Sequence, residues 1–389
     1  MSLLRLGVIG RSAKENEFRL PIHPDHLARL EPDIAARITL EHGYGEKFGR
    51  GDGDLEPLVG GVASREEILQ RSDVVLLLKP LLEDVAAMHT GQTLWGWPHC
   101  VQNAALTQMA IDHSLTLIAF EAMNHWTRDQ AVGLHVFHKN NELAGYCSVL
   151  HALQLIGRTG DYGRRLTAAV IGFGATARGA VTALSAQGVH DVAVLTTRGV
   201  AAVASPIHSV RILQYDHDPD GGPSHVITTR GRVPLAPFLA EHDIVVNCTL
   251  QDPAAPLMYL HTPDLEAFQP GSLIVDVSCD EGMGFDWARP TTFDEPMFDV
   301  GDHVHYYGVD HTPSYLWDSA TWDISEALIP FLRPVMDGPD AWEMDETLSR
   351  AVEIQDGRVR NVAILDFQHR DKEYPYEVQG PGVEPSAMS

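Results

Sequence analysis

The chain has 389 residues, 44% of them hydrophobic and 21% charged, with 28 Lys and Arg against 53 Asp and Glu and a formal net charge of −25. That length predicts two or three domains with real cores and excludes global disorder. The negative balance argues against a nucleic-acid or anionic-membrane coat protein, since both need neutralising cations. Cys100, Cys147, Cys248 and Cys279 form no C-x-x-C pair, so reduced thiols are expected rather than a disulfide framework, and no metal site is expected. His303, His305 and His311 lack partners at ligand spacing and read as one face of a strand. No apolar stretch reaches the ~18–20 residues of a membrane span, and a cytoplasmic protein is the expectation.

Short apolar runs alternate with amphipathic stretches, the pattern of βα units and of an α/β fold with parallel sheets. Strands are expected at Leu4–Ile9, Ile38–Glu41, Val74–Leu78, Thr93–Trp97 and Leu115–Phe120, and helices at His23–Leu30, Arg65–Arg71 and Ala104–His113. Three of these strands run out at a polar residue: Lys79, His99 and Glu121. Ligands of open α/β sheets bind beyond the carboxyl ends of strands, which makes the recurrence informative.

Glu142–Ile156 reads as a long helix linking two domains. A strand over Leu166–Ile171 then opens into a helix over Ala175–Gln187 that closes at Gly188, and Val192–Thr196 is the next strand. Asp216–Gly222 is turn material, and strands return at Ile244–Asn247 and Leu273–Val277. Beyond Asp302 the chain reads as irregular until a helix over Ile324–Val335, and the tail after Tyr374 reads as frayed.

Gly172-x-Gly174-x-x-Ala177 stands where a strand gives way to a helix, the context that gives a G-x-G-x-x-A string meaning. Gly172 permits a tight turn, Gly174 lets the backbone approach a pyrophosphate, and Ala177 lets helix and strand pack closely. Dinucleotide enzymes specific for NAD carry an acid near the end of the second strand. Here Thr196-Thr197-Arg198 stands instead, which suits a 2′-phosphate and predicts a preference for NADP(H) over NAD(H). The competing reading is that Arg198 stacks on adenine or faces solvent. The full cofactor set expected is Gly172, Gly174, Ala175, Thr176, Ala177, Thr197, Arg198, Cys248 and His311.

Arg19, on the loop after the first strand, suits a bidentate clamp on a carboxylate, or else a surface ion pair with Glu15 or Glu17. Lys79 leaves an apolar strand just before Pro80; it reads equally as a desolvated acid–base group or as a snorkelling side chain. His99, in Trp95-Gly96-Trp97-Pro98-His99-Cys100, is either a proton carrier or a structural histidine among aromatics. Asp280, beyond the strand at Leu273–Val277, suits an ammonium partner or an acidic turn ahead of Gly282.

The order Lys14-Glu15-x-x-x-Arg19-x-Pro21-Ile22, Leu78-Lys79-Pro80, Pro98-His99-Cys100, Gly172-x-Gly174 and Val275-Asp276-Val277-x-x-Asp280-x-Gly282 resembles the alanine dehydrogenase/pyridine nucleotide transhydrogenase/saccharopine dehydrogenase superfamily over nearly the whole chain. Trp95-Gly96-Trp97, Lys139–Tyr146 and Asp280–Gly284 look most like its N5-(carboxyethyl)ornithine synthase branch. Val309-Asp310-His311-x-Pro313-Ser314 and Phe120-Glu121 are closer to lysine-forming saccharopine dehydrogenase.

The resemblance implies two Rossmann-like domains: a discontinuous substrate domain, 1–140 with 310–389, and a dinucleotide domain, 141–309. It carries catalytic roles onto Lys79 and His99, carboxylate binding onto Arg19, and the cleft aspartate onto Asp280, with Glu121 as a further substrate contact. Lys79-Pro80 replaces the Lys-Glu-Pro of alanine dehydrogenases, and Asp310-His311-Thr312-Pro313 stands near their Asn-Met-Pro; both departures count against plain alanine deamination. The expectation is an NADP(H)-dependent oxidoreductase that condenses an amino acid with a pyruvate-like 2-oxo acid and reduces the imine, working as a homo-oligomer on small molecules. An alanine dehydrogenase-type or saccharopine dehydrogenase-type enzyme and a non-catalytic nucleotide-binding protein are the alternatives.

Overall fold

Runs of Val, Ile and Leu closed off by Gly, Pro or a polar side chain form the central strands, as expected of strands buried on both faces. The computed structural model describes residues 3–198, 207, 209–217, 224–251, 256–301 and 303–379. The chain divides into two compact units, Met1–Phe137 with Trp317–Ser389, and His138–Leu316.

In the first unit β1 (Leu6–Val8), β2 (Ile38–Glu41), β3 (Gly61–Ala63), β4 (Val74–Leu76), β5 (Thr93–Gly96) and β6 (Thr116–Ala119) are parallel, in the spatial order β3-β2-β1-β4-β5-β6. The order reverses between β1 and β4, which defines the ligand-binding crevice of such a sheet. A small antiparallel hairpin, β7 (Asn124–Trp126) and β8 (Val132–His135), follows. The helix Arg65–Arg71 falls where the sequence predicts it, because Ser64 and Glu67 cap each other's backbone N–H.

The second unit repeats the plan. Its sheet comprises β9 (Thr167–Ile171), β10 (Asp191–Thr196), β11 (Arg211–Asp216), β12 (His225–Thr228), β13 (Gly231–Pro234) and β14 (Ile244–Asn247), and after a separate β15 (Met258–Leu260) continues with β16 (Ser272–Asp276). β17 (Gly284–Phe285) pairs with β15 outside this sheet, while β18 (Met297–Val300) and β19 (Val304–Tyr307) complete it. The order is β13-β12-β11-β10-β9-β14-β16-β19-β18, parallel in the middle and antiparallel at both edges, with its reversal between β9 and β14.

The C-terminal return then adds β20 (Val352–Gln355) and β21 (Arg358–Val359) to the first sheet, antiparallel beside β6. Each sheet carries an apolar core on both faces. Ile324, Leu328, Phe331 and Val335 of the helix Trp317–Asp337 cover one face of the first, and Ala177, Ala180 and Leu184 of the helix Ala175–Ala186 one face of the second.

Several expectations need correction. The region after Asp302 is a strand, β19, whose Tyr306 and Tyr307 are buried, and the long helix starts at Trp317 rather than Ile324. The segment after Tyr374 is tied down as far as Gln379, where a bridge joins Arg370 to Val378; residues 380–389 lie outside the described set. The predicted turn at Asp216–Gly222 begins at the end of β11, with residues 218–223 outside the described set. Among the described residues no helix is long and apolar enough to cross a membrane.

Candidate active site

In the first unit the loops after β1, β4, β5 and β6 carry Arg19, Lys79, His99 and Glu121 to one end of the sheet. The crevice at the β1/β4 reversal is stitched by Ser12, whose hydroxyl donates to the Lys79 carbonyl at 2.6 Å. Lys79 Nζ lies 2.8 Å from His99 Nε2. Trp97, 8% exposed, offers its ring to both Lys79 Nζ, 5.7 Å from the centroid, and the Arg19 guanidinium, 5.6 Å away. These are cation–π distances, so one indole gathers the two cations.

The backbone at His99 is left-handed, φ +50°, which is uncommon for a side chain with a Cβ. It is held there by Glu121, whose Oε1 accepts from the His99 N–H at 2.6 Å. Gly96, two residues before Pro98, packs directly on the Leu77 carbonyl and leaves no room for a Cβ. Burial, and next the charge of Glu353, push the Glu121 carboxyl up to about 8, the Lys79 charge acting weakly the other way.

Arg19 is 3% exposed and its fork is engaged by Glu17, itself buried: Nε donates to Oε1 at 2.8 Å, and Nη2 pairs with Oε2. The ion pair with Glu17 exists, but it is buried rather than on the surface. Beside it opens a cavity of about 390 Å³ whose walls include Arg11, Ser12, Lys14, Glu17, Phe18 and Lys47.

In the second unit Gly172 adopts φ +114°, and a Cβ there would stand 2.9 Å from the Cys248 carbonyl, so only glycine makes this turn. Gly174 caps the helix Ala175–Ala186, and a Cβ added to it would meet nothing within 4 Å. Ala177 is fully buried. A bare helix N-terminus beside a forced glycine turn, at the point where strand order reverses, fits the pyrophosphate of a dinucleotide. Thr197 and Arg198 are exposed beyond β10, with the Arg198 N–H donating to Thr196 Oγ1.

Cys248 follows β14 against the Gly172 turn, and its thiol is pushed up by burial. Asp280 follows β16 at the same end of the sheet, half-buried, with its carboxyl raised by desolvation. Beneath it the buried Asp276 accepts from Cys279 N–H, Asn247 and Tyr306, and burial still raises it to about 6. His311 is buried and pairs with Asp310 at 2.6 Å.

Four residues that shape the two strand-end regions, one in each unit, escape a reading of the chain alone: Trp97 as a shared platform, Glu17 as the partner of a buried arginine and Glu353 in the first unit, and Asp276 under the Asp280 turn in the second. Only Trp97 carries a usable signal, its place between Gly96 and Pro98-His99.

Two doubly wound sheets, one with a glycine turn at a bare helix N-terminus and one with a lysine–histidine pair at its strand ends, have the plan of a class of nicotinamide nucleotide-dependent oxidoreductases. Residues 8–144 match the family model for the alanine dehydrogenase/PNT N-terminal domain and residues 168–362 that for its C-terminal domain, so the chain belongs to this family. It is 25% identical over 368 residues to an alanine dehydrogenase of Halomonas elongata, covering 92% of this chain and 95% of that one. It is 22% identical over 322 residues to an N(5)-(carboxyethyl)ornithine synthase of Clostridium botulinum, covering 80% and 89%. Among solved structures, an L-alanine dehydrogenase superposes with a TM-score of 0.74 at 20% identity, over 94% of this chain and 99% of the other.

Proposed function

We propose that the enzyme joins an amino acid to a pyruvate-like 2-oxo acid through an imine that is reduced to a secondary amine, with NADP(H) preferred. The observation that carries this is the contact of Lys79 Nζ with His99 Nε2, with Arg19 on the same indole. Gly172, Gly174, Ala175, Thr176, Ala177 and Cys248 would hold the nucleotide's pyrophosphate end, with His311 as a further contact and Thr197 and Arg198 reading its ribose phosphate. The chemistry that a bound nicotinamide supplies is hydride exchange at the carbon of the C=N bond.

Arg19, its rotamer fixed by Glu17, orients the oxo-acid carboxylate, and Lys79 polarises the adjacent carbonyl. As the amine adds to that carbon it loses a proton, which His99 accepts. When the carbinolamine loses water, the departing hydroxyl takes a proton from the Lys79–His99 couple. Such transfers contribute about 10²–10⁴ in rate each. Asp280 is assigned to the amino-acid ammonium group, and Glu121 to His99 rather than to substrate. On this reading the nucleotide belongs to the unit His138–Leu316 and the substrate to the other unit.

Lys79-Pro80 and Asp310-His311-Thr312-Pro313, where alanine dehydrogenases differ, support an amine larger than ammonia. The alanine dehydrogenases among the relatives favour a second reading, oxidation of alanine with release of ammonia. NADPH consumption with pyruvate separates the two. Dependence on an amino acid such as ornithine or lysine supports condensation; dependence on ammonium alone refutes it.

A further inference from the structure

β20 joins the first sheet with a slip in register: Val352 stands opposite Ile118 and Ile354 opposite Leu117, which leaves Glu353 as the bulged residue. Bulges re-aim side chains and gather beside active sites. Here the bulge leaves Glu353 inside, 3% exposed, in the strand next to the one that Glu121 follows. Its Oε1 accepts from Asn361 Nδ2 at 2.9 Å. Its Oε2 is buried and has no hydrogen-bond partner of ordinary geometry among the described residues, the neighbouring Cys100 thiol being only a weak donor. Glu121 is built the same way, with Oε1 on the His99 N–H and a buried, unpartnered Oε2.

Two carboxyls on neighbouring stretches of chain that repel each other cannot both ionise cheaply, and a buried acceptor oxygen without a donor, as each Oε2 is, is costly. A single proton between them removes both penalties. We infer that Glu121 and Glu353 share one proton at neutral pH, and that this pair, through the His99 backbone N–H, fixes the left-handed turn that sets the imidazole against Lys79. Glu353 is then a positioning residue supplied by the C-terminal return.

The charged and titratable groups around Glu121 are Lys79, His99, Cys100 and Glu353. Lys79 favours an ionised Glu121 and Glu353 opposes it, while burial keeps the Cys100 thiol protonated. Burial also raises Glu353 itself, so both carboxyls resist ionisation. A carboxyl raised in the folded chain stabilises it most below the unfolded pKa, and that stability is lost as pH rises through about 8.

The inference takes from the proposed function only that His99 works with Lys79, and its test needs no substrate, so the two can fail separately. Tm is followed between about pH 5 and 9 for the wild type, Glu353→Gln and Glu121→Gln. In Glu353→Gln the new amide keeps the shape of the carboxyl and can donate to Glu121 Oε2, so the fall in Tm through about pH 8 should vanish. Glu121→Gln removes the same titration from the other side and should flatten the curve likewise. Where activity is measured, the pH limb of kcat/KM that reports this pair should move by about one unit or more in Glu353→Gln. Parallel Tm curves for wild type and Glu353→Gln would overturn the shared proton. Infrared spectra of the wild type keep the test open even if the variants misfold. A protonated-carboxyl band at pH 7 that fades by about pH 9 supports the pair, and no such band refutes it.

Discussion

The Nζ atom of Lys79, beyond β4, lies 2.8 Å from Nε2 of His99, beyond β5, so two neighbouring parallel strands deliver an ammonium and an imidazole to one point. At that separation one proton can pass between them without a bridging water.

Lys79→Ala and His99→Ala should each lower kcat by about 10²–10⁴ and change Tm little, because His99 is exposed and Lys79 half-buried. The double variant should be scarcely worse than either single one, as expected of groups that act as a unit. Steady-state kinetics on the three variants, with circular dichroism melts, check this.

Arg19→Ala should cost stability as well as activity. It takes the guanidinium away from a buried carboxylate, and breaking a buried pair from one side costs about 3–5 kcal/mol. The companion change Glu17→Gln in the Arg19→Ala background should restore much of the Tm but none of the affinity for the 2-oxo acid. Melting curves and KM for the oxo acid separate the two roles.

The two fingerprint glycines should fail differently. Gly172→Ala forces a Cβ at φ +114° against the Cys248 carbonyl and should lower Tm. Gly174→Ala meets no protein atom, so Tm should hold while the nucleotide Kd rises about tenfold or more, a loss of about 1.4 kcal/mol. Calorimetric titration with NADPH alone measures it.

Arg198→Ala should raise KM for NADPH about tenfold and leave NADH almost untouched, since only the 2′-phosphate offers a guanidinium a second anion. Equal losses with both nucleotides would assign Arg198 to the adenine instead.

What the sequence disclosed of this site, and what it hid, follows from how local each signal is. Lys79, His99 and Glu121 were legible because each ends an apolar run, and the Gly172 turn because strand, glycines and helix adjoin along the chain. Arg19 was legible as a type but not in its setting, since neither its burial nor its lock on Glu17 leaves a mark in spacing. Glu353 was hidden entirely: β20 is a four-residue strand far along the chain from β6, and its acidic residue breaks the apolar pattern that marks the others. β19 is legible only through its alternating histidines, its Val-His-Tyr-Tyr run being too short and too polar to stand out among the aromatics around it. The sequence implies a shorter helix than Trp317–Asp337 because Trp317 and Asp318 give no apolar periodicity, although Pro330 and Pro334 do not end it.

The most direct test of imine reduction is the mass of what the purified enzyme makes from NADPH, pyruvate and one amino acid at a time. Reductive condensation predicts a single product whose mass is that of the amino acid plus pyruvate, less water and with two hydrogens added. Formation of alanine from pyruvate and ammonium, with every amino acid recovered unchanged, would contradict it.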